Sequence, residues 1–192
     1  GVTAPFGLVT EYNENWVGRY FAVKSDLKTI NFNPSIAFKA TDKLSIGFGV
    51  SAEYIDLTLS QMTDRFGAPD RKVKLEADDW GYGYNLGIMY QMTPETRLAL
   101  AYRSKISHTL EGDGKVTTPL DLPETLSLAI HHQLNDKWSV MADATMTRWS
   151  RFEELAIESD GGAFTSTKAE DWDNSMRYGI GLNYQYSDKW QF

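Results

Sequence analysis

His108, His131 and His132 are the side chains of this 192-residue sequence best suited to moving protons or holding a metal near neutral pH. None stands at a known spacing from a serine, cysteine or carboxylate that would pair a nucleophile with a base. His131 and His132 are adjacent, so on a strand they point to opposite faces. A hydrogen-bonded or interfacial histidine is the simpler account of all three. Glu153 and Glu154 open a polar stretch and read as solvated charge. Cysteine is absent, which removes thiolate catalysis, disulfides and Cys-based zinc sites together. The sequence is therefore not read as an enzyme, and neither a metal nor a cofactor is expected.

Charge and composition narrow the partners. Lys and Arg number 19 against 26 Asp and Glu, a net charge of -7, which disfavours a phosphate backbone as ligand. Hydrophobic residues make up 42% and aromatic residues 13%, yet mean hydropathy is -0.41. No run approaches the roughly 20 apolar residues of a membrane-spanning helix.

The elements that must position any site follow from a period of two. Leu44, Ile46, Phe48, Val50, Ala52 and Tyr54 alternate with Ser45, Gly47, Gly49, Ser51 and Glu53. Trp80, Tyr82, Tyr84, Leu86, Ile88 and Tyr90 alternate with Gly81, Gly83, Asn85, Gly87 and Met89. Similar rows run through Ile30 to Phe38, through Leu98, Leu100, Tyr102 and Ile106, through Leu126 to Ile130, Trp138 to Met146 and Met176 to Tyr186. With Val2 to Leu8 they predict eight strands and a stub at Trp190, and no helix. Short Asp, Asn or Pro turns at 41–43, 93–96, 135–137 and 187–189 alternate with long loops at 10–26, 61–79, 111–121 and 151–171. After Tyr54 the apolar positions become Ile55, Leu57 and Leu59. That slip predicts a bulge near Tyr54 and Ile55, which past a membrane rim would turn an apolar face toward the lumen or a lid.

Two surroundings fit such ribbons: a soluble barrel or sandwich with its apolar face inside, or a membrane barrel with that face toward lipid. The opposite face carries Gly, Ser, Ala, Asn and Thr in place of the long charged side chains usual on a water-exposed strand. Trp138, Tyr90, Tyr184 and Tyr186 sit near the short turns, and Trp80 and Trp172 near the long loops. Strand length, turn asymmetry and aromatic placement point to an all-β, antiparallel, up-and-down transmembrane barrel. Arg97, Arg103, Lys105, Arg177 and Asp143 on its inner faces would form a charge ladder bracing the lumen. Phe21, Val23, Ile55, Leu57, Leu59, Met62 and Phe66 would either receive a lipid tail from water or pack the loops together.

Particular words add a resemblance. Val2-Thr3-Ala4-Pro5-Phe6-Gly7-Leu8, Trp16-Val17-Gly18-Arg19-Tyr20, Asn33-Pro34-Ser35, Asp79-Trp80-Gly81-Tyr82-Gly83-Tyr84-Asn85, Leu122-Pro123-Glu124 and Trp149-Ser150-Arg151-Phe152 together resemble the long-chain fatty acid transporters of the Gram-negative outer membrane, the FadL family. The resemblance covers essentially the whole chain. It implies a 14-stranded barrel plugged by an N-terminal hatch, with these residues matching one part of a single transmembrane barrel domain and the hatch and last strands lying outside them.

It also implies site residues. Pro5, Phe6 and Gly7 match a kinked stretch that opens the wall sideways, although an ordinary strand end also accounts for them. Lys168 matches a basic residue facing the ligand carboxylate, Gln61 stands where its basic partner is matched, and Arg65 is the nearby substitute. The expected ligand is a long-chain fatty acid or an aromatic hydrocarbon, bound also by Leu57, Leu59, Met62, Phe66 and Phe21. The expected setting is a monomer crossing the outer membrane many times among its lipids and lipopolysaccharide, passing ligand by diffusion. A soluble β-barrel binder of hydrophobic ligands and an outer-membrane adhesion or structural barrel are the competing classes.

Overall fold

Alternating rows become one antiparallel sheet in the computed structural model, which describes residues 1–112, 116–151, 154–159, 165–169, 172–187 and 189–191. In chain order the strands are β1 (Val2–Thr3), β2 (Gly7–Glu11), β3 (Lys24–Phe32), β4 (Ser35–Lys39), β5 (Leu44–Arg65), β6 (Ala68–Gln91), β7 (Thr96–Arg103) and β8 (Ile106–Gly112). There follow β9 (Val116–Leu122), β10 (Thr125–Gln133), β11 (Trp138–Thr147), β12 (Glu154–Ser159), β13 (Thr165–Ala169), β14 (Ser175–Ser187) and β15 (Trp190–Gln191). β1 with β2, β3 with β4 and β7 with the start of β8 are each one predicted strand, interrupted, while β10 is the strand predicted at Leu126 to Ile130. The sheet curls into a half-barrel, and among the described residues its only helical piece is a 3₁₀ turn at Trp149–Arg151.

The short turns are closed by the side chains that the sequence offers for the purpose. Thr41 Oγ1 accepts from Leu44 N at 3.0 Å, Thr93 Oγ1 from Thr96 N at 3.0 Å, and Asn135 Oδ1 from Trp138 N at 3.1 Å. Each leads into a strand whose apolar row is exposed. Leu86 and Ile88 are 45% exposed, Leu128 56% and Ile180 94%, while Gly83, Ser127 and Gly179 on the opposite face are partly covered. The rows therefore do not converge on a sealed centre. Aromatic rings bracket the exposed band: Trp80 packs against Phe32 and Tyr54 at one end, and Trp138 against Tyr184 with centroids 4.5 Å apart at the other.

Two expectations need correcting. Residues 61–79 are not a loop, because β5 and β6 stay paired from Leu44↔Tyr90 to Thr63↔Arg71 and turn at Phe66 and Gly67, where Gly67 takes φ 81°. Residues 111–121 are likewise mostly the β8–β9 hairpin. Nor is there a bulge at Tyr54 and Ile55, since the register of β5 runs unbroken there against both β3 and β6. An apolar face does turn inward there, but without a bulge: Gly49, Ser51, Glu53, Ile55 and Leu57 form one buried row that changes from small and polar to apolar.

The irregularity lies instead in the neighbouring strand. β6 pairs with β7 up to Asn85↔Arg103 and with β8 only at Asp78↔Glu111 and Ala77↔Gly112. Residues 79–84 thus face 104–110, one residue more, and parity flips at Ser104 and Lys105. Ser104 covers the break, its hydroxyl accepting from Tyr84 N at 2.9 Å. Ile106 then turns inward, so it does not share a face with Tyr102. Its side chain and that of His108 lie over Gly81 and Gly83, where any Cβ would collide with them.

Candidate functional site

That inward step packs the β8–β9 hairpin against the inner face of β5 and β6. Ile55, Leu57, Ala77, Leu110, Leu120 and Leu122 form a buried apolar cluster at the long-loop end, flanked by Phe6, Leu27 and Leu59. Of the expected ligand-binding residues, Leu57 is 5% exposed within this cluster and Leu59 lies at its edge. Phe21 and Phe66 are not brought to it, being 87% and 99% exposed on the outer loop and hairpin tip. Gln61 and Met62 lie higher on β5, opposite Val73 and Lys72, and Arg65 stands beside the tip turn. Lys168 pairs through its backbone with Leu155, and its side chain, like Glu153, lies outside the described part of the molecule.

Phe6 reaches the cluster because the strand breaks at Pro5. Thr3 pairs with Asn31 and Gly7 with Lys28, so residues 4–6 face only 29–30. Proline supplies no ladder donor there. Thr29 stitches the gap: its hydroxyl donates to Phe6 O at 2.9 Å and accepts from Phe6 N at 3.0 Å. The Phe6 ring meets the edge of Trp149 at 5.8 Å.

Below Ile55 the inner face turns polar on β3 and β5. Asn31 Nδ2 donates to Glu53 Oε2 at 2.8 Å, and His108 stands between Glu53 at 3.6 Å and Asp79 at 3.3 Å. Sequence reading gave His108 no carboxylate partner; Glu53 and Asp79 come to it from two other strands. A signal was present in Glu53, the one acid in the row Gly47, Gly49, Ser51, Glu53. The charge ladder expected farther down is reduced to Arg177 and Asp143, 3.0 Å apart. Lys105 faces outward after the parity flip and pairs with Asp121, while Arg97 rests on the Met89 sulfur. Arg103 lines an open hollow with Asn33, Asn85 and Ser127. Among the described residues no group of His, Cys, Asp and Glu is arranged to hold a metal ion.

The outside of the mouth is tied by ion pairs. Arg19 and the Tyr20 hydroxyl both reach Asp70 Oδ2, at 3.1 and 2.8 Å, fastening the 12–23 loop to β6. On β3, the hydrogen bond from Lys28 at 2.8 Å, helped by Lys24 at 3.4 Å, holds the Asp26 carboxyl below the usual aspartate range against the opposing effect of burial. A folded-state value below the unfolded one makes Asp26 stabilising above the ordinary 3.8, with that contribution lost as pH falls through the folded value. Asp26→Asn is expected to weaken the β2–β3–β5 apex at neutral pH and to remove part of its acid lability. Amide exchange of β3, followed from pH 7 down to acid, checks both halves.

An antiparallel half-barrel, banded outside by exposed apolar residues between aromatic rings and lined inside by small polar ones, is the wall of a β-barrel of the outer-membrane type. The chain belongs to the outer membrane protein transport protein family (OMPP1/FadL/TodX), whose model matches residues 1–192. It is 27% identical over 239 residues to the long-chain fatty acid transport protein of Escherichia coli O6:H1, a match covering 100% of this chain and 54% of that one. The fold resembles a FadL homologue of Pseudomonas aeruginosa with a TM-score of 0.88 and 25% identity, over 99% of this chain and 53% of that one. It also resembles the Ralstonia pickettii toluene transporter TbuX with a TM-score of 0.77 and 25% identity, over 99% and 62%. The chain spans about half the length of the curated relatives it matches.

Proposed function

We propose that these residues form part of the wall and mouth of a monomeric outer-membrane channel that passes long-chain fatty acids or other hydrophobic compounds, such as aromatic hydrocarbons, by passive diffusion. The observation that carries this reading is the apolar cluster inside the mouth, with Phe6 at the break in the wall as one of its flanks. An acyl chain entering there gains roughly 0.8 kcal/mol per buried CH₂ and needs few polar contacts. Pro5, Phe6 and Gly7 mark the place where ligand leaves sideways through the wall, and the exposed band of Leu86, Ile88, Leu128 and Ile180 contacts the membrane. The names of the relatives, a long-chain fatty acid transport protein and a toluene transporter, support both ligand classes. The exposed apolar band argues against a soluble binder.

The test uses the full-length protein in the outer membrane of a Gram-negative host that lacks its own fatty-acid channel. Uptake of labelled oleate or toluene is expected, and regularising the wall by Pro5→Val with Gly7→Thr is expected to lower it several-fold at unchanged surface abundance. Absent uptake overturns the transport reading. Uptake indifferent to the double substitution overturns the sideways exit.

A further inference from the structure

The Asn31, Glu53 and His108 layer sits two residues below Ile55 on β5 and two below Leu110 on β8, level with Leu120 and above Leu122 on β9, so it is a polar layer set within the apolar cluster. All three side chains are buried, Glu53 completely. Yet Glu53 Oε1, Asn31 Oδ1 and His108 Nε2 have no hydrogen-bond partner, and the 3.6 Å between Glu53 Oε1 and His108 Nε2 is too long to be one. With Nδ1 of His108 donating to Asp79, Nε2 is an acceptor, and the unpartnered atoms are then all acceptors. Glu53 and Asp79 set two carboxylates against the one imidazole of His108. Lys24 and Lys28 cannot offset this, since they lie on the outer face of β3 with Asp26.

We propose that this layer is the headgroup subsite of the apolar cluster, accepting a hydrogen bond from the hydroxyl of a neutral hydrophobic molecule and disfavouring an ionised carboxylate. The inference rests on the reading of the cluster as a ligand site and names its preferred ligand class. A hydroxyl satisfies Glu53 Oε1, whereas a carboxylate brings a like charge against it in a setting where water screens little.

The test is equilibrium binding to the detergent-purified full-length protein at pH 8, with hexadecanol, methyl palmitate and palmitate as probes. Hexadecanol is expected to bind about tenfold or more tightly than palmitate, the scale set by one close like-charge contact. Methyl palmitate, neutral but without a donor, falls between them. Glu53→Gln, which keeps the shape and removes the charge, is expected to tighten palmitate and bring the ratio within about threefold. Palmitate binding the wild-type protein as tightly as hexadecanol overturns the proposal, and that comparison needs no variant to fold. An unchanged ratio in a folded Glu53→Gln protein overturns it too. Binding of none of the three overturns the underlying channel reading instead.

Discussion

Leu128→Arg is expected to cost the barrel about 2–4 kcal/mol, the penalty of a guanidinium on the lipid face near the bilayer midplane. Leu128 is 56% exposed at the middle of β10, opposite Leu100 on one neighbour and Ala144 on the other. On a water-exposed sheet the same change would shift stability by less than about 0.5 kcal/mol, so the two settings differ by several-fold in the measured effect. Denaturant unfolding of the full-length protein from phospholipid vesicles, followed by tryptophan fluorescence, supplies the number. A change within error of zero would mean that this row faces water.

Leu110→Ala should weaken the mouth by about 2–5 kcal/mol, since the side chain is 0% exposed and sits where β8 rests on β5 and β6. The damage should stay local. Amide exchange is expected to accelerate in β8 and β9 and to leave β10, β11 and β14 alone, because the last three pair along their lengths without contact with the cluster. Affinity for a hydrophobic ligand should fall in the same variant. Stable exchange rates with lost affinity would show that Leu110 contacts the ligand without holding the hairpin.

Much of this was legible in the residues because a strand repeats every two positions and the short turns carry Thr, Asn, Asp and Pro where the backbone must bend. Leu44 to Tyr54, Trp80 to Gln91 and the turns at 41, 93 and 135 needed no tertiary information. The kink at Pro5 was readable for a similar reason, as proline removes a donor wherever it stands. Above the aromatic rings the rule changed. There the inner row of β5 becomes apolar at Ile55, so a reader following apolar residues switches faces and infers a bulge that is absent. The true bulge at Ser104 and Lys105 was hidden by Tyr102 and Ile106, which keep parity in the sequence and lose it in the fold. The meeting of His108 with Glu53 depends on strand register and on Gly81 leaving room between them, neither of which a period can report.

The β5–β6 ladder pairs residue for residue from Leu44 to Thr63, roughly 65 Å of ribbon at about 3.3 Å per residue. The neighbouring ladders are cut at Pro5 and Ser104, so the breaks in the wall flank this ribbon and none lies within it from Leu44 to Thr63.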